Sequence, residues 1–206
     1  MTRNNIIEAV KAKLDEIHPL QAGGTLVDPQ IDKQLDDAAI SLIEMLPSAL
    51  ARPIEPLSFP GNVNYKAGVS IDVECPADFV RIHRLRLTHW NIPVTELQPD
   101  TGRLARSQLY KYLQGTENNP VAALYTIGAQ EVIRCYPPPQ EDVQCVEEFI
   151  YVRRPNVAED LDDSLIDMLS WKAASVIYMI HGQADASSAC MNRLTMLVDA
   201  KLKYRS

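Results

Sequence analysis

Near the N-terminus, apolar residues recur at the three- and four-residue spacings of two amphipathic helices. The first helix is expected to have Asn4 or Asn5 as its N-cap and to end at His18, because the residue before a proline avoids the α region. The second is expected to begin at Asp28 and to end at Pro47, with its aspartates on a solvated face. The two apolar stripes are Ile6, Ile7, Val10, Leu14 and Ile17, followed by Ile31, Leu35, Ala38, Ala39, Leu42, Ile43 and Leu46.

The middle of the chain, from about residue 52 to residue 155, alternates apolar and polar positions as half-buried strands do. Proline and glycine clusters separate the segments, which is typical of turns between strands. The alternation slips between Ile82 and Leu85, which predicts a β-bulge. Residues 98–119 form a long connection, with a short helix or an extended arm at 103–112. The expected strands are 69–73, 79–87, 93–97, 122–127, 131–136 and 143–152.

The last part of the chain has the pattern of a helical hairpin. One helix is expected over 161–180, with aspartates at its start and His181-Gly182 as its C-terminal cap. The second helix is expected over 185–203, and its first turns consist of small residues that permit close packing. The two apolar stripes are Leu165, Met168, Leu169, Val176, Ile177 and Ile180, followed by Met191, Leu194, Leu197 and Val198.

These elements predict an α+β fold in which N- and C-terminal helices form a bundle and an antiparallel β domain is inserted between them. The expected parts are N-terminal helices at 1–50, an inserted β domain with a long loop at 51–156, and a C-terminal helical hairpin at 157–206. The helix at 161–180 is expected to pack on the helix at 28–46, because their apolar stripes match. The candidate core residues of the bundle are Leu35, Leu42, Leu169 and Ile177.

Charge and cysteine content narrow the function classes. A formal charge of −7 argues against a general nucleic-acid binder, which needs a positive field to neutralise phosphates. The four cysteines form no CxxC pair and have no histidine at zinc-ligand spacing, so we interpret them as small buried hydrophobes in a reducing compartment. The early charges do not suit a signal peptide, and no apolar run reaches the roughly 18 residues of a membrane helix, which favours a soluble product.

Candidate chemistry is sparse in this sequence. His83 and His89 are six residues apart and could share one face of a strand, but no third metal ligand lies near them. The acidic residues at 159–163 fit helix capping better than paired catalytic carboxylates. We find no nucleophile-elbow, phosphate-loop or dinucleotide-binding motif. We therefore expect no catalytic residue, no metal and no cofactor, and keep a small nuclease or hydrolase as the alternative.

Several stretches of the sequence resemble the head–tail adaptor proteins of tailed bacteriophages. Residues 75–82, Cys-Pro-Ala-Asp-Phe-Val-Arg-Ile, look like the Pro-x-Asp-Phe-hydrophobic-Arg strand entry of that family. Residues 148–155, Glu-Phe-Ile-Tyr-Val-Arg-Arg-Pro, look like its aromatic strand ending in Arg-Pro. An acidic stretch and a helix containing Trp171-Lys172-Ala173-Ala174 follow, as in the family. Residues 2–17 and 31–38 are similar to ring proteins of crAss-like phages.

The resemblance implies a non-enzymatic virion protein, a subunit of the head–tail connector ring. Such adaptors are helical bundles with an inserted β domain, and they assemble, typically as twelve copies, beneath the portal ring. The implied partners are further copies of this chain, the portal protein and the next tail or ring protein. Viral DNA is expected to pass through without specific binding, and no membrane is involved. The implied location is the virion, assembled in the cytoplasm of a bacterial host; an assembly factor absent from the finished particle is a second alternative.

The long connection at 98–119 is the candidate partner-contact loop. Its cations stand beside aromatic residues, a mixture that suits a protein interface. A plain mobile loop is the competing interpretation. The candidate contact residues are Arg103, Arg106, Tyr110, Lys111 and Tyr112.

Overall fold

The computed structural model describes residues 2–17, 28–52, 59, 61–66, 70–138 and 146–204. It confirms the α+β fold, because helices from both ends of the chain form a bundle and a β region lies between them in sequence. The chain divides into two compact units, one made of 1–52 with 154–206 and the other of 53–153. The predicted loop at 21–25, the start of the predicted strands at 69 and 143, and Cys145 lie outside the described residues.

Four helices build the bundle and a short one belongs to the β domain. Their bounds are α1 Arg3–Ile17, α2 Asp28–Met45, α3 Arg103–Ser107, α4 Ile166–Ile180 and α5 Ala184–Lys203. Helix α4 is central, since it packs against α1, α2 and α5. All four candidate core residues, Leu35, Leu42, Leu169 and Ile177, are buried. Among the described residues, no helix is both long enough and apolar enough to cross a membrane.

Several polar side chains inside the bundle are hydrogen-bonded, as buried polar groups usually are. The hydroxyl of Tyr178 on α4 donates to the carbonyl oxygen of Leu14 on α1 at 2.6 Å. Ser187 on α5 donates to the carbonyl oxygen of Ser175 on α4 at 2.9 Å. The small residues predicted at the start of α5 therefore do lie against α4, where Ala186 and Ser187 are buried.

The predicted N-cap of the first helix was wrong. Helix α1 begins at Arg3, so Asn4 and Asn5 lie within its first turn, and the Arg3 guanidinium bonds this turn to α2. It contacts the carboxylate of Asp32 and donates to Asp36 at 2.9 Å and to Glu159 at 3.1 Å. Asp36 also accepts a hydrogen bond from the backbone N–H of Ala158 at 2.9 Å. The aspartates expected to be merely solvated on α2 thus include two that bind Arg3.

The predicted start of the third bundle helix was also wrong, since α4 begins at Ile166 and not at 161. The acidic stretch before it forms two short 3₁₀ turns, Ala158–Asp160 and Asp163–Leu165. Asp162 caps the second turn by accepting from the Ser164 N–H at 2.9 Å. At the other end, Gly182 has a φ of +72°, which confirms the predicted glycine cap. Ile180, assigned to the buried stripe, is 60% exposed because it belongs to the last turn of α4.

The β domain contains a five-stranded sheet of order β1-β2-β6-β5-β4 and a two-stranded sheet of β3 and β7. The strands are β1 Val63–Lys66, β2 Ser70–Glu74, β3 Phe79–Leu87, β4 Gln98–Pro99, β5 Val121–Ile127, β6 Gln130–Tyr136 and β7 Val146–Arg153. All pairs are antiparallel except β4 with β5. The register of β3 against β7 shifts between Ile82 and Arg84, which confirms the predicted bulge. The predicted strand at 93–97 was wrong, because within this range only Val94 forms a β-bridge, to Leu85.

One hydrophobic core serves both sheets of the β domain. The five-stranded sheet contributes Ile71, Val73, Ala122, Ile133 and Cys135, and the two-stranded sheet contributes Phe79, Ile82, Leu85, Leu87, Phe149 and Tyr151. Burial raises the pKa of the half-buried Cys75 thiol to about 12 and that of Cys190 to about 11. These thiols therefore stay protonated near neutral pH, as expected for cysteines that serve as small hydrophobes.

Candidate functional site

The segment expected to be a long loop is an ordered structure on the five-stranded sheet. It begins with β4, continues through α3, and includes a 3₁₀ turn at Lys111–Leu113. Strand β4 lies parallel to β5, with Gln98 opposite Ala123 and Pro99 opposite Leu124. Helix α3 then packs against β5 through Ala105, which is fully buried. Residues 101–114, which we call the contact segment, are therefore held on the sheet at their N-terminal side.

Gln108 fixes the middle of the contact segment from inside. Its side chain is only 1% exposed, and its Nε2 donates to the carbonyl oxygens of Leu104 at 2.9 Å and Leu113 at 3.4 Å. Its Oε1 accepts from the backbone N–H of Gly115 at 2.6 Å. The Gln108 carbonyl accepts in turn from the side chain of Gln114 at 2.9 Å. One buried amide thus joins the helix, the 3₁₀ turn and the return to the sheet.

A glycine is needed where the contact segment returns to the sheet. A Cβ atom on Gly115 would lie 2.9 Å from the carbonyl oxygen of Tyr136 and 3.0 Å from the backbone nitrogen of Val121. Both are backbone atoms of the sheet and cannot move aside without breaking strand pairing. The close approach brings the Gly115 N–H within reach of Gln108 and closes the segment at its C-terminal side.

The outer face of the contact segment is unusually apolar for a surface. Tyr112 is 98% exposed and Leu109 is 74% exposed, and Leu104, Tyr110 and Leu113 are each more than half exposed. Large apolar groups that cluster on a surface mark interaction sites, whereas single exposed ones carry no such meaning. The candidate contact residues Tyr110 and Tyr112 lie in this cluster, and the three leucines extend it.

The three cations of the contact segment stand exposed among these apolar groups. Within the part of the chain that the structure describes, Arg103, Arg106 and Lys111 have no ion-pair partner. Two arginines elsewhere in the β domain differ. Arg134 makes two hydrogen bonds of 2.7 Å to the carboxylate of Asp72, and Arg84 lies 3.2 Å from Glu148. The contact segment therefore presents positive charges that form no ion pair with the described residues of the chain.

A shallow, open cavity of about 350 Å³ lies beside α3. It is lined by Thr101, Arg103, Arg106, Ser107, Tyr110 and Leu113. Arg103 and Arg106 are three residues apart on α3, a spacing that places them on the same side of a helix. The lining thus combines two arginines with an aromatic and an aliphatic residue.

The structure places the five predicted contact residues on one short segment, and all five are exposed. Sequence reasoning missed Gln108, the residue that holds them in place. A glutamine within a polar stretch carries no periodic signal, so nothing in the local sequence marks it as buried. The leucines at positions 104, 109 and 113 were recognised as apolar but were not assigned to the surface.

The histidines weighed as metal ligands lie elsewhere in the β domain. Nε2 of His89 lies 2.9 Å from the carbonyl oxygen of Pro137, which also accepts from the indole of Trp90 at 3.3 Å. His83 is half-buried on β3. Among the described residues, no group of three or more metal-ligating side chains occurs.

The chain matches no family model, and no curated protein matches it. The chemistry that the contact segment supports follows from its side chains. Exposed leucine and tyrosine offer apolar area, and the unpaired arginines offer charge-assisted hydrogen bonds to carboxylate or phosphate. This combination of apolar, aromatic and guanidinium groups is enriched at protein interfaces.

Proposed function

We propose that this protein is a structural subunit of the head–tail connector of a tailed bacteriophage, forming a ring beneath the portal. The observation that carries the proposal is the contact segment, which exposes five large apolar side chains while its backbone is fixed by Gln108. Such a surface suits permanent attachment to a neighbour, because a fixed segment loses little conformational entropy when it binds. The helical bundle with an inserted β domain is the architecture that the resemblance implies.

Two of the stretches that carry the resemblance, at 75–82 and 148–153, belong to the same structural unit. Residues 79–82 start β3 and residues 148–153 lie on β7, and these two strands pair with each other. Asp78, just before β3, accepts a hydrogen bond of 3.0 Å from the hydroxyl of Tyr151 on β7. The Asp-Phe and aromatic-strand motifs are therefore linked by both backbone pairing and a side-chain contact. This supports treating them as parts of one motif.

The ring proposal implies a contact between unlike faces of successive copies. Each such contact is expected to bury more than roughly 1,000 Å², as stable interfaces do. We place the contact segment at a protein neighbour, which is a further copy, the portal protein or the next tail component. The DNA that a connector ring encloses is expected to slide past without being gripped, because the chain carries a net charge of −7.

The proposal is tested by the composition and structure of particles of the phage that encodes this chain. Mass spectrometry of purified mature virions should find the chain at a stoichiometry near that of the portal protein. An electron cryo-microscopy map should show it as a closed ring with the contact segment buried. A chain found in immature heads but missing from mature virions would be an assembly factor, and isolated monomers in the particle would contradict the ring.

A further inference from the structure

We propose that the cavity beside α3 binds a carboxylate, and that its occupant is an acidic segment of a different protein chain that also carries apolar side chains. This inference rests on the proposed function, because a connector subunit has a permanent neighbour beyond its own copies. It adds the chemistry by which that neighbour is recognised.

Two arginines make an anion the natural occupant of the cavity. Arg103 and Arg106 both line it, lie on the same side of α3, and have no ion-pair partner among the described residues. The planar guanidinium group matches a carboxylate with two parallel hydrogen bonds, which gives both strength and orientation. The hydroxyl of Ser107 already donates to the carbonyl oxygen of Leu104 at 2.8 Å, and the two arginines are the charged donors among the residues that line the cavity.

The surroundings of the cavity favour a protein over a nucleic acid. Tyr110 and Leu113 line it, and Leu109 and Tyr112 extend the apolar surface around it. Nucleic-acid sites neutralise many phosphates and lie in a positive field, whereas this segment has three cations on a chain of net charge −7. In an acidic segment that also carries apolar side chains, the carboxylate would pair with the arginines and the apolar groups would pack on the tyrosines and leucines.

The acidic stretch of this same chain at 159–163 is not available as the occupant. Glu159 contacts Arg3 at 3.1 Å, and Asp160 accepts from the backbone N–H groups of Asn156 at 2.9 Å and Val157 at 3.3 Å. Asp162 accepts from the N–H of Ser164. These carboxylates stabilise the turns before α4. A second copy could place them in the cavity only by breaking these hydrogen bonds in its own fold. Since the acidic run at 159–163 serves its own fold, we assign the occupant to a different chain.

The test measures binding of peptide probes to the full-length chain by fluorescence anisotropy. The probe is a short fluorescein-labelled peptide of alternating Asp, Leu and Glu residues, and its control has Asn and Gln in place of every Asp and Glu. The acidic peptide should bind at least about tenfold more tightly than the neutral one, since each lost charge-assisted hydrogen bond weakens binding by about this factor. The difference should shrink at high salt.

Matched variants assign the binding to the cavity. Arg103→Gln with Arg106→Gln should weaken acidic-peptide binding about tenfold or more. Arg103→Lys with Arg106→Lys should give an intermediate affinity, because lysine keeps the positive charge but cannot donate the two parallel hydrogen bonds of a guanidinium group. Arg193→Gln is the control, since Arg193 is an exposed arginine on α5, outside the β domain. It should leave the affinity unchanged, and circular dichroism should show all variants folded.

Several results would overturn the inference. Equal binding of the acidic and neutral peptides, or binding unaffected by Arg103→Gln with Arg106→Gln, would remove the carboxylate site. Tighter binding of a single-stranded or duplex oligonucleotide than of the acidic peptide would assign the surface to nucleic acid. Self-association in sedimentation that the double variant abolishes would assign it to a second copy. Because these measurements use the isolated chain, a negative result leaves the connector role to be decided by the particles.

Discussion

In the helical bundle, Arg3 at the start of α1 contacts three carboxylates, whereas in the β domain Arg103 and Arg106 of α3 have no carboxylate partner among the described residues. In the bundle, an arginine joins α1, α2 and the turn before α4. In the β domain, the two arginines of α3 face solvent. The apolar residues differ in the same way. The bundle buries Leu35, Leu42 and Leu169 fully, while the contact segment exposes Leu109 and Tyr112.

The comparison separates groups that stabilise this chain from groups available to another chain. A charge that is paired inside the fold contributes to folding and is screened from partners. A charge that is left unpaired beside exposed apolar area contributes to folding very little, so its presence needs a different explanation. The contact segment is nevertheless ordered, because Gln108 and the close approach of Gly115 fix its backbone. A binding surface is preorganised when its backbone is fixed before binding and its side chains remain free to contact a partner.

The largest effect should come from the core of the bundle. Ile177→Ala on α4 should lower the free energy of unfolding by about 2–5 kcal/mol, because it removes a buried side chain and leaves a cavity. Ile180→Ala, three residues further along the same helix, is the control and should change it by less than about 0.5 kcal/mol. Chemical denaturation measures both. Equal effects of the two substitutions would mean that α4 presents a different face to the core.

The next effect should be local to the contact segment. Gln108→Ala should cost about 1–3 kcal/mol, because it removes a buried amide and leaves the part-buried N–H of Gly115 without this acceptor. Backbone hydrogen exchange over residues 101–115 should accelerate more than exchange in the bundle helices. Lys111→Ala is the control within the same segment and should alter neither quantity. Unchanged protection in Gln108→Ala would show that the segment is held by the sheet alone.

A smaller effect is expected at Arg3. Arg3→Gln should lower the free energy of unfolding by about 1 kcal/mol, a modest value because Asp32 and Asp36 are partly exposed and water screens them. The hydrogen bond from Arg3 holds the pKa of Asp36 below its ordinary value of 3.8. A lowered pKa in the folded state means that the ionised Asp36 stabilises the fold. Its contribution is present above pH 3.8 and is lost as the pH falls through the lowered value.

The pH dependence gives a direct measurement of the Arg3 cluster. Urea denaturation of the protein and of Arg3→Gln should differ most near neutral pH and converge as the pH falls below 3.8. Asp36→Asn, which removes the titrating group and keeps the shape, should show a weaker acid dependence than the protein itself. A difference between the protein and Arg3→Gln that is constant from neutral to acidic pH would show that Asp36 is not the partner that matters.

The bundle was largely predictable from the sequence, because most of the predicted stripe residues of α1, α2 and α4 are buried, although on α5 Leu194 alone of the predicted stripe is buried. The two wrongly predicted helix starts involve side-chain contacts that the apolar pattern does not show. The start of α1 at Arg3 depends on carboxylates 29, 33 and 156 residues away in sequence, which no local pattern shows. The start of α4 at Ile166 follows from side-chain caps that favour 3₁₀ turns over helix in the acidic stretch.

The candidate site was predictable in composition and in its short helix, since α3 lies within the expected 103–112, but not in the way the segment is fixed. The mixture of arginine, lysine and tyrosine indicated an interface, and its length indicated a loop. The structure of this segment depends on one buried glutamine and on a two-residue strand that pairs in parallel with β5. Such a short strand has too few residues to show alternation, and Gln108 satisfies backbone groups that only the folded segment brings together. Neither feature leaves a periodic trace in the sequence.

The smallest expected effect concerns duplex DNA, and it contrasts the two groups of arginines within the β domain. Strand β3 carries Arg84 and Arg86, which taken alone suggest a basic patch. Arg84 lies 3.2 Å from Glu148 and Arg86 contacts Glu147, so both charges are neutralised on β7. We therefore expect the protein to bind duplex DNA with a dissociation constant weaker than about 10⁻⁶ M at low salt, the tight end of ordinary non-specific affinity.

Removing the partners of these arginines should raise the affinity for DNA slightly. Glu147→Gln with Glu148→Gln frees two cations, and each additional phosphate contact should steepen the dependence of the logarithm of affinity on the logarithm of salt by about 0.9. Arg103→Gln with Arg106→Gln is the matched comparison and should leave the weak affinity of the protein nearly unchanged. If the unmodified protein binds at or below about 10⁻⁶ M and this double arginine variant abolishes binding, the unpaired cations face DNA and not a protein neighbour. If binding is that tight and only the β3 arginines matter, a basic patch on β3 is active in spite of its carboxylate partners, and DNA would be gripped in the channel.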